Sequence, residues 1–213
     1  MKLYFSPLAC SLATRISCYE AGADFEYRHV DPRTKRLEDG SDFLAINPMG
    51  QVPTLEAEDG TLLTENSAIL QYVAECLPAA QLAPTGGMAR AQLQKWLGFI
   101  GTELHKAVFM PLLDAKAPEA VKAYARDKIP LRLDFLEKYL AGREFLLDRF
   151  SIADAYLATI LNWSAFVGVK LTPWPAVAAY YQRMLQRPAV SRALGEEFAL
   201  YQKEHAPQPA ARQ

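Results

Sequence analysis

The sequence is poor in cysteine and has no long apolar segment, and each scarcity excludes a class of protein. Only three of the 213 residues are cysteine, at positions 10, 18 and 76, and no pair has C-x-x-C spacing. Such a sparse, odd set argues against a disulfide framework and for a reducing compartment. No run approaches the roughly 18 apolar residues of a membrane span. No apolar h-region of a lipoprotein signal precedes Cys10, so we predict a cytoplasmic protein without a membrane partner.

Net charge and metal-binding patterns are equally scarce. The 23 basic and 24 acidic residues leave a formal charge of −1, and no basic stripe with interleaved aromatics points to nucleic acid. The three histidines, at 29, 105 and 205, lack the spacing of zinc ligands, so we expect no metal. Neither G-x-G-x-x-G nor a phosphate-binding loop occurs. Recognition of a ligand must therefore depend on a few local groups.

Residues 1–78 are predicted to form a mixed α/β domain. Strand patterns at 2–5 and 25–30 flank a helical pattern at 11–20, and such a unit favours a parallel strand pair. Further strand patterns at 52–57 and 61–64 surround an Asp-Gly turn, which is typical of a hairpin, and a helix follows at 65–77. The order β-α-β, loop, β-β-α predicts a four-stranded mixed sheet with helices on its faces.

The rest of the chain carries only helical patterns. Residues 79–87 have the composition of a linker, and residues 88–213 are predicted to form an all-helical domain. Helical periodicity runs through 88–113, 119–140, 151–166, 175–186 and 189–201. Ser151 and Asp154 form an N-cap pair ahead of the most apolar of these helices.

Cys10 lies where the first strand meets the first helix, and its position suggests chemistry. The free amides of a helix start carry partial positive charge, so a thiol there should have a lowered pKa and a usable thiolate fraction. Ser11 could donate to that thiolate or cap the helix. The alternative for Cys10 is a small buried filler, which is a common use of free cysteine. Position alone leaves both interpretations open.

Two further junctions carry unusual or polar residues. Pro53 opens the third strand, where a cis bond after Val52 would hold that backbone open for an extended peptide ligand. A trans proline at a strand start is the alternative. Glu65 and Asn66 stand at the start of the helix predicted at 65–77 and could simply cap it. They could instead take an α-amino group and an α-carboxylate, the latter at the helix N-terminus.

The long helix after the linker has a stripe of small residues. Gly98, Gly101 and His105 follow at i, i+3 and i+7, and each glycine costs about 1 kcal/mol in a helix interior. Such a stripe indicates either close packing of another helix or space for a ligand. His105 and Lys106 could therefore face a site, although a solvated helix face also explains such a pair.

At these residues the sequence resembles a bacterial glutathione S-transferase of the beta class, over nearly the whole chain. The resemblance is strongest in KLYFSPLACSLATRI, FLAINPMGQVPTLEAEDGTLLTENSAILQYVAE, KWLGFIGTELHK and FSIADAYL. Cys10-Ser11 together with Leu104-His105-Lys106 marks the beta class. The family implies a thioredoxin-like N-terminal domain, a helical C-terminal domain that binds the second substrate, and a homodimer.

The resemblance also implies a site for glutathione as co-substrate, laid against the Val52 backbone with Pro53 in cis. Cys10 would face the glutathione sulfur and could form a mixed disulfide with it. By position, the other implied roles fall to Ser11, His105 and Lys106 at the thiol, Lys35 and Gln51 at the glycyl end, Glu65 and Asn66 at the γ-glutamyl end, and Glu103 for a further contact, possible across the dimer.

The predicted function is transfer of glutathione to a small apolar electrophile, with detoxification as the expected role. The helix start, the Ser11 hydroxyl and the donors of His105 and Lys106 would favour the thiolate over the thiol. That thiolate would attack an electrophilic carbon or a disulfide at Cys10. The pocket for the electrophile is expected to be walled by Leu8, Phe109 and Met110.

Three departures from the family pattern and two alternative functions stand beside this prediction. Phe5 stands where relatives often have Tyr, so no phenol can donate to the sulfur from that position. Gly98 replaces a typical Asn, and Asn66 replaces a usual Ser or Gly. One alternative is a glutathione-dependent disulfide reductase or peroxidase with Cys10 as nucleophile. The other is a non-catalytic adaptor on the same fold.

Overall fold

The computed structural model describes residues 1–23 and 25–206, and it confirms the predicted fold class of a mixed sheet followed by a helical half. Residues 207–213, the end of the predicted helical domain, lie outside the described residues. One sheet has the order β2-β1-β3-β4. Its strands are β1 Lys2–Phe5, β2 Glu26–His29, β3 Thr54–Glu56 and β4 Leu62–Leu63.

Strand pairing and side-chain alternation build the sheet as the sequence predicts. β1 runs parallel to β2, with Leu3 opposite Tyr27, and antiparallel to β3, with Leu3 opposite Leu55. Successive side chains of a strand point to opposite faces. Leu3 therefore packs into one core cluster, whereas Tyr4 packs against Phe43 on the other face, with ring centroids 5.7 Å apart. β1 thus delivers the chain to the loop that carries Cys10.

The helices mostly follow the predicted periodicity, but the segment at 119–140 is broken. The pattern predicts a single helix at 119–140, but the chain forms two helices that meet at Lys128, because Pro130 has no N–H to continue the ladder. In chain order the helices are α1 Leu12–Glu20, α2 Asn66–Cys76, α3 Gly87–Phe99, α4 Met110–Leu113, α5 Glu119–Asp127, α6 Ile129–Leu140, α7 Ile152–Asn162, α8 Pro175–Leu185 and α9 Pro188–Glu204.

Helix starts and helix packing fix the two halves to each other. The predicted pair caps α7, since the Ser151 N–H and hydroxyl both donate to Oδ2 of Asp154, at 2.9 and 2.8 Å. α1 packs against α7 and α9 of the helical half. The opening helix is therefore held by both halves of the molecule. In the part of the chain that the structure describes, no helix is long and apolar enough to cross a membrane.

Between α3 and α4 the backbone is π-helical over Ile100–Phe109, whereas the periodicity predicts one continuous α-helix at 88–113. Pro111 follows directly, has no N–H to donate, and its ring opposes α-helical geometry in the preceding turn. The chain adopts wider i→i+5 bonds instead, such as that from the Met110 N–H to the His105 carbonyl. Turns of this kind are frequent at functional sites, and this one carries His105 and Lys106.

Candidate active site

A cavity of about 880 Å³ opens between the sheet and the helical half. Its volume falls within the roughly 300–1,000 Å³ of typical small-molecule sites. It is bounded by the loop after β1, the start of α2, the π-helical segment and parts of the chain near the ends of α7 and α9. The predicted site residues that line it are Leu8, Cys10, Lys35, Gln51, Val52, Pro53, Glu65, Asn66, His105, Lys106 and Met110.

Two predicted site residues make other contacts and do not line this cavity, which corrects their expected placement. Ser11 is fully buried, and its hydroxyl donates to the Ser6 carbonyl at 3.4 Å without capping α1. The Glu103 carboxylate instead pairs with Nη2 of Arg132 on α6, at 2.6 Å. Both side chains are occupied within the fold, because the sheet loop and α6 supply partners that their local sequence does not indicate.

Phe109 also needs correction, because it faces the core while its neighbour Met110 lines the cavity. An α-helix would place Phe109 on the same face as His105, four residues earlier. The i→i+5 bonds bring Met110 beside His105 instead. Phe109 is consequently 1% exposed and packs against Trp163, with ring centroids 6.4 Å apart.

Cys10 lies at the cavity, but its thiol is not activated as predicted. Its Sγ donates to the Val52 carbonyl at 3.3 Å, and the Val52–Pro53 bond is cis, as predicted. The residue is partly exposed, yet burial of the thiol raises its pKa to about 12. The Lys106 charge and the backbone N–H groups of Cys10 and Ser11 lower that pKa. The helix start therefore acts in the expected direction, and burial outweighs it.

The start of α2 presents a strained backbone and a buried amide to the cavity. Glu65 has φ of 68°, a left-handed value also found at Lys35 and Leu8 of the same lining. Such conformations cluster at functional sites. The Asn66 side chain is 8% exposed, and neither of its amide atoms has a well-formed hydrogen bond among the described residues. It interacts with the Tyr156 hydroxyl, so this helix start holds free backbone donors and a weakly bonded amide beside a carboxylate.

His105 lies beneath the π-helical wall of the cavity as a neutral ring. Its Nδ1 is 2.6 Å from the Tyr156 hydroxyl, and burial, followed by the Lys106 charge, lowers its pKa to about 4. It therefore supplies no positive charge at neutral pH. A Cβ on Gly101 would lie 3.6 Å from that hydroxyl, whereas one on Gly98 would meet no atom within 4 Å. Both glycines line the cavity, so the stripe makes space for a ligand.

The sequence does not predict the aromatic side of the cavity. Trp163 donates its indole N–H to the Leu8 carbonyl at 2.8 Å and also packs against the His105 ring, at 4.9 Å between centroids. The sequence gives a local signal for Tyr156, which lies inside the very apolar α7. A buried tyrosine hydroxyl usually has a hydrogen-bond partner, so its presence there indicates a polar role. The aromatic residues of the lining are Tyr156, Trp163, Phe166 and Tyr201.

Comparisons with known proteins identify the family of this chain. Residues 1–75 match the family model described as glutathione S-transferase, N-terminal domain, and residues 101–188 match that described as glutathione S-transferase, C-terminal domain. Glutathione S-transferase GstA of Escherichia coli O157:H7 is 45% identical over 199 residues, which cover 92% of this chain and 98% of that protein.

Solved structures are similar over the same extent. A sphingomonad glutathione S-transferase complexed with glutathione has a TM-score of 0.88 and 46% identity, covering 93% of this chain and 99% of its own. The bacterial beta class enzyme of Sphingomonas chungbukensis has a TM-score of 0.88 and 43% identity, covering 92% and 98%. Fold and site thus define a thioredoxin-like sheet domain joined to a helical domain across a thiol-lined cavity. The chain belongs to the glutathione S-transferase family, and the predicted resemblance to its bacterial beta class is confirmed.

Proposed function

We propose that this protein is a transferase that joins the thiol of glutathione to small apolar electrophiles in the cavity between its two halves. One observation carries the proposal: the Val52 main chain, the start of α2 and the Cys10–Lys106 pair all face the same space. Glutathione offers, in one molecule, the three groups that these features suit, namely an extended peptide, an α-amino acid end and a thiol. The names of the similar proteins support the same function.

The γ-glutamyl end of glutathione would lie at the start of α2. Glu65 supplies a carboxylate for the α-ammonium group, and the first free amides of the helix favour the α-carboxylate. The buried amide of Asn66 would add a hydrogen bond to the same group. An unsatisfied buried amide costs roughly 1–3 kcal/mol, so a ligand that satisfies it gains that much. Asn66 can therefore take the place of the Ser or Gly that the resemblance leads one to expect.

The rest of the tripeptide would extend along the β3 side of the cavity. Its cysteinyl main chain would pair with the Val52 backbone, in the manner of an added strand. The glycyl carboxylate would then meet Lys35 and Gln51, which line the cavity on loops of the sheet domain. Glu103 is engaged with Arg132, so within one chain it adds no contact to the tripeptide, and its proposed contact would cross to a second copy.

Activation of the thiol would come from the groups that already favour an anion at Cys10. The Lys106 charge and the amides of Cys10 and Ser11 each lower the pKa of a sulfur there. A fall of one pKa unit corresponds to about 1.4 kcal/mol, and these donors would act on the pKa of the glutathione thiol in the same downward direction. Ser11 would contribute its backbone N–H, and neutral His105 would position Tyr156. The glutathione thiol releases its proton to solvent, and the thiolate sulfur bonds to the electrophilic carbon while the leaving group departs from that carbon, as chloride from a chloroaromatic acceptor.

The acceptor would bind against the apolar part of the cavity. Leu8 and Met110 line it from opposite halves of the molecule, together with the aromatic rings of Trp163, Phe166 and Tyr201. A charged acceptor would lose its hydration there without a matching partner. The lining therefore favours a small apolar electrophile.

Cys10 favours a second candidate, a glutathione-dependent disulfide reductase or peroxidase in which its sulfur is the nucleophile. Its place in the cavity supports a mixed disulfide with glutathione, while its raised pKa of about 12 leaves little thiolate at neutral pH and favours carbon conjugation as the main activity. The non-catalytic adaptor has less support, because Cys10, Glu65 and Lys106 all line one cavity.

We also propose the assembly and setting that the family resemblance implies. Residues 1–78 would bind glutathione, 79–87 would link, and 88–213 would bind the electrophile and dimerise. Exposed apolar side chains of α5 and α6 give the helical half a surface for a second copy: Val121, Tyr124, Leu131 and Phe135. A cytoplasmic location and a role in detoxification complete the proposal.

The intact mass of the purified protein, with and without reductant, tests the thiol site. After exposure to glutathione disulfide we expect a reducible gain of one glutathione that Cys10→Ala abolishes and Cys18→Ala, the control at a fully buried thiol, preserves. Conjugation of a generic chloroaromatic acceptor, measured on both variants, then separates the two activities: only disulfide reduction should require Cys10. Absence of any heat of binding with millimolar glutathione would overturn the proposal.

A further inference from the structure

The peptide two residues before Cys10 is held in a conformation that its own side chain disfavours. Leu8 has φ of 59°, in the left-handed region that residues with a Cβ rarely occupy. A backbone conformation of this kind persists only where the surrounding structure enforces it. Leu8 is 6% exposed and lines the cavity beside Cys10, so whatever enforces its conformation also determines where the thiol lies.

Both polar groups of Leu8 are bound by the helical half. The Leu8 N–H donates to Oε2 of Glu197 on α9 at 2.7 Å, and the Leu8 carbonyl accepts from Nε1 of Trp163, which follows α7, at 2.8 Å. Glu197 is 0% exposed and Trp163 is 5% exposed. These two hydrogen bonds are shielded from water, and they fix the strained residue at its N–H and at its carbonyl.

The second carboxylate oxygen of Glu197 fits the same arrangement. Its Oε1 lies 3.1 Å from Nε of Arg15 on α1, which is an ion-pair distance without hydrogen-bond geometry. Burial and the nearby Glu196 raise the pKa of Glu197, to about 8, while Arg15 and the Leu8 N–H oppose them. A buried carboxylate is expensive, and a core position with no further role would be filled more cheaply by an apolar side chain.

We propose that Glu197 is a positioning residue for the thiol site, which acts together with Trp163 by holding the Leu8 peptide so that Cys10 stands at the cavity. The inference rests on the proposed function only in taking Cys10 as the place of the thiol chemistry. The helical half then does more than supply an acceptor pocket, because its last helix sets the geometry of the loop at the start of α1.

The position of Cys10 can be read without glutathione, from its alkylation rate relative to that of the exposed Cys76 in the same molecule. Peptide mass spectrometry after timed exposure to iodoacetamide gives the ratio of the two rates. The variants are Glu197→Met, which removes the acceptor of the Leu8 N–H, and Trp163→Phe, which removes the indole N–H and makes the ring smaller. The control is Glu196→Met, since Glu196 pairs with the same Arg15, at 3.3 Å from Nη1, and makes no hydrogen bond to Leu8.

We expect both test variants to raise the ratio of the Cys10 to the Cys76 alkylation rate at least threefold. In the wild type, burial raises the pKa of the Cys10 thiol, and a released loop would expose that thiol. In the conjugation assay both should lower kcat about tenfold with a smaller change in the KM for glutathione, while the control stays within twofold of the wild type. A folded Glu197→Met protein with an unchanged ratio overturns the proposal, as does an equal effect of Glu196→Met.

If Glu197→Met does not fold, Trp163→Phe decides alone by the same ratio. A shifted ratio in a protein that conjugates no acceptor would refute the proposed function and support the positioning role. Failure of the proposed function and failure of the positioning role are therefore distinguishable.

Discussion

Acid should destabilise this protein partly through His105, and the size of the effect follows from its surroundings. The side chain is 5% exposed and its Nδ1 lies 2.6 Å from the Tyr156 hydroxyl. Burial and the Lys106 charge lower its pKa from 6.5 to about 4. The folded protein therefore keeps His105 neutral over a pH range in which the unfolded chain already binds a proton there.

Stability rises with pH wherever the unfolded state binds more protons than the folded state. For His105 that range lies between its two pKa values, 6.5 unfolded and about 4 folded. Its contribution is therefore complete above the unfolded pKa and is lost as the pH falls towards the folded one, by about 2 kcal/mol at about pH 5. Asp154 acts in the opposite direction, because burial raises its pKa to about 6 and the folded state then holds its proton more firmly.

Urea unfolding of the wild type and of His105→Gln, at about pH 7.5 and about pH 5 and one protein concentration, isolates this contribution. The carboxyl of Asp154 is present in both proteins and cancels in the comparison, and glutamine keeps a polar group opposite the Tyr156 hydroxyl. On acidification the wild type should lose about 2 kcal/mol more of its free energy of unfolding than the variant. Equal losses would mean that His105 is charged in the folded protein, and its assignment as a neutral group would fail.

Two further predictions concern the cavity lining. Asn66→Leu should weaken glutathione binding by about 10- to 100-fold in calorimetry, since a hydrogen bond to a carboxylate contributes roughly 1.5–3 kcal/mol, and should cost little stability because the amide has no well-formed bond to lose; unchanged affinity would place the γ-glutamyl end elsewhere. Gly98→Ala should raise the free energy of unfolding by about 1 kcal/mol, and the Tm by about 2–4 °C, because alanine favours a helix interior over glycine. The added Cβ would meet no atom within 4 Å, so a lower Tm would contradict that open space.

The features that the sequence predicts well are those with local signals. Alternation along β1 predicts that Tyr4 and Phe5 lie on opposite faces of the sheet, and the structure places them so. The order of strands and helices confines the sheet to few topologies. Cys10 and Glu65 each precede a helix of the sheet domain, α1 and α2. Both residues line the cavity, because the starts of these two helices lie close together.

The features that the sequence does not predict depend on distant partners or on an unusual helix. The sequence assigns both Phe109 and Met110 to the pocket wall, and of the two the π-helical segment leaves Met110 at the cavity and Phe109 in the core. Glu197 follows another glutamate on α9 and looks like part of a solvated face. Its role depends on Leu8, 189 residues away along the chain, and no local pattern encodes a contact of that separation.

Phe5 stands where the family often has tyrosine, but the loss of that phenol has little effect on the groups that favour a sulfur anion. Its ring is 3% exposed and lies under the Arg15 guanidinium, at 4.2 Å from the ring centroid, within the core between the sheet and its helices. A hydroxyl on a ring so enclosed would need a buried partner before it could help a ligand. The groups that favour a sulfur anion are the Lys106 ammonium and the amides of Cys10 and Ser11, and none of them depends on position 5. In the proposed function, stabilisation of the thiolate therefore depends on one ammonium group and one helix start, and Glu197 and Trp163 are proposed to act on it through the loop between β1 and α1.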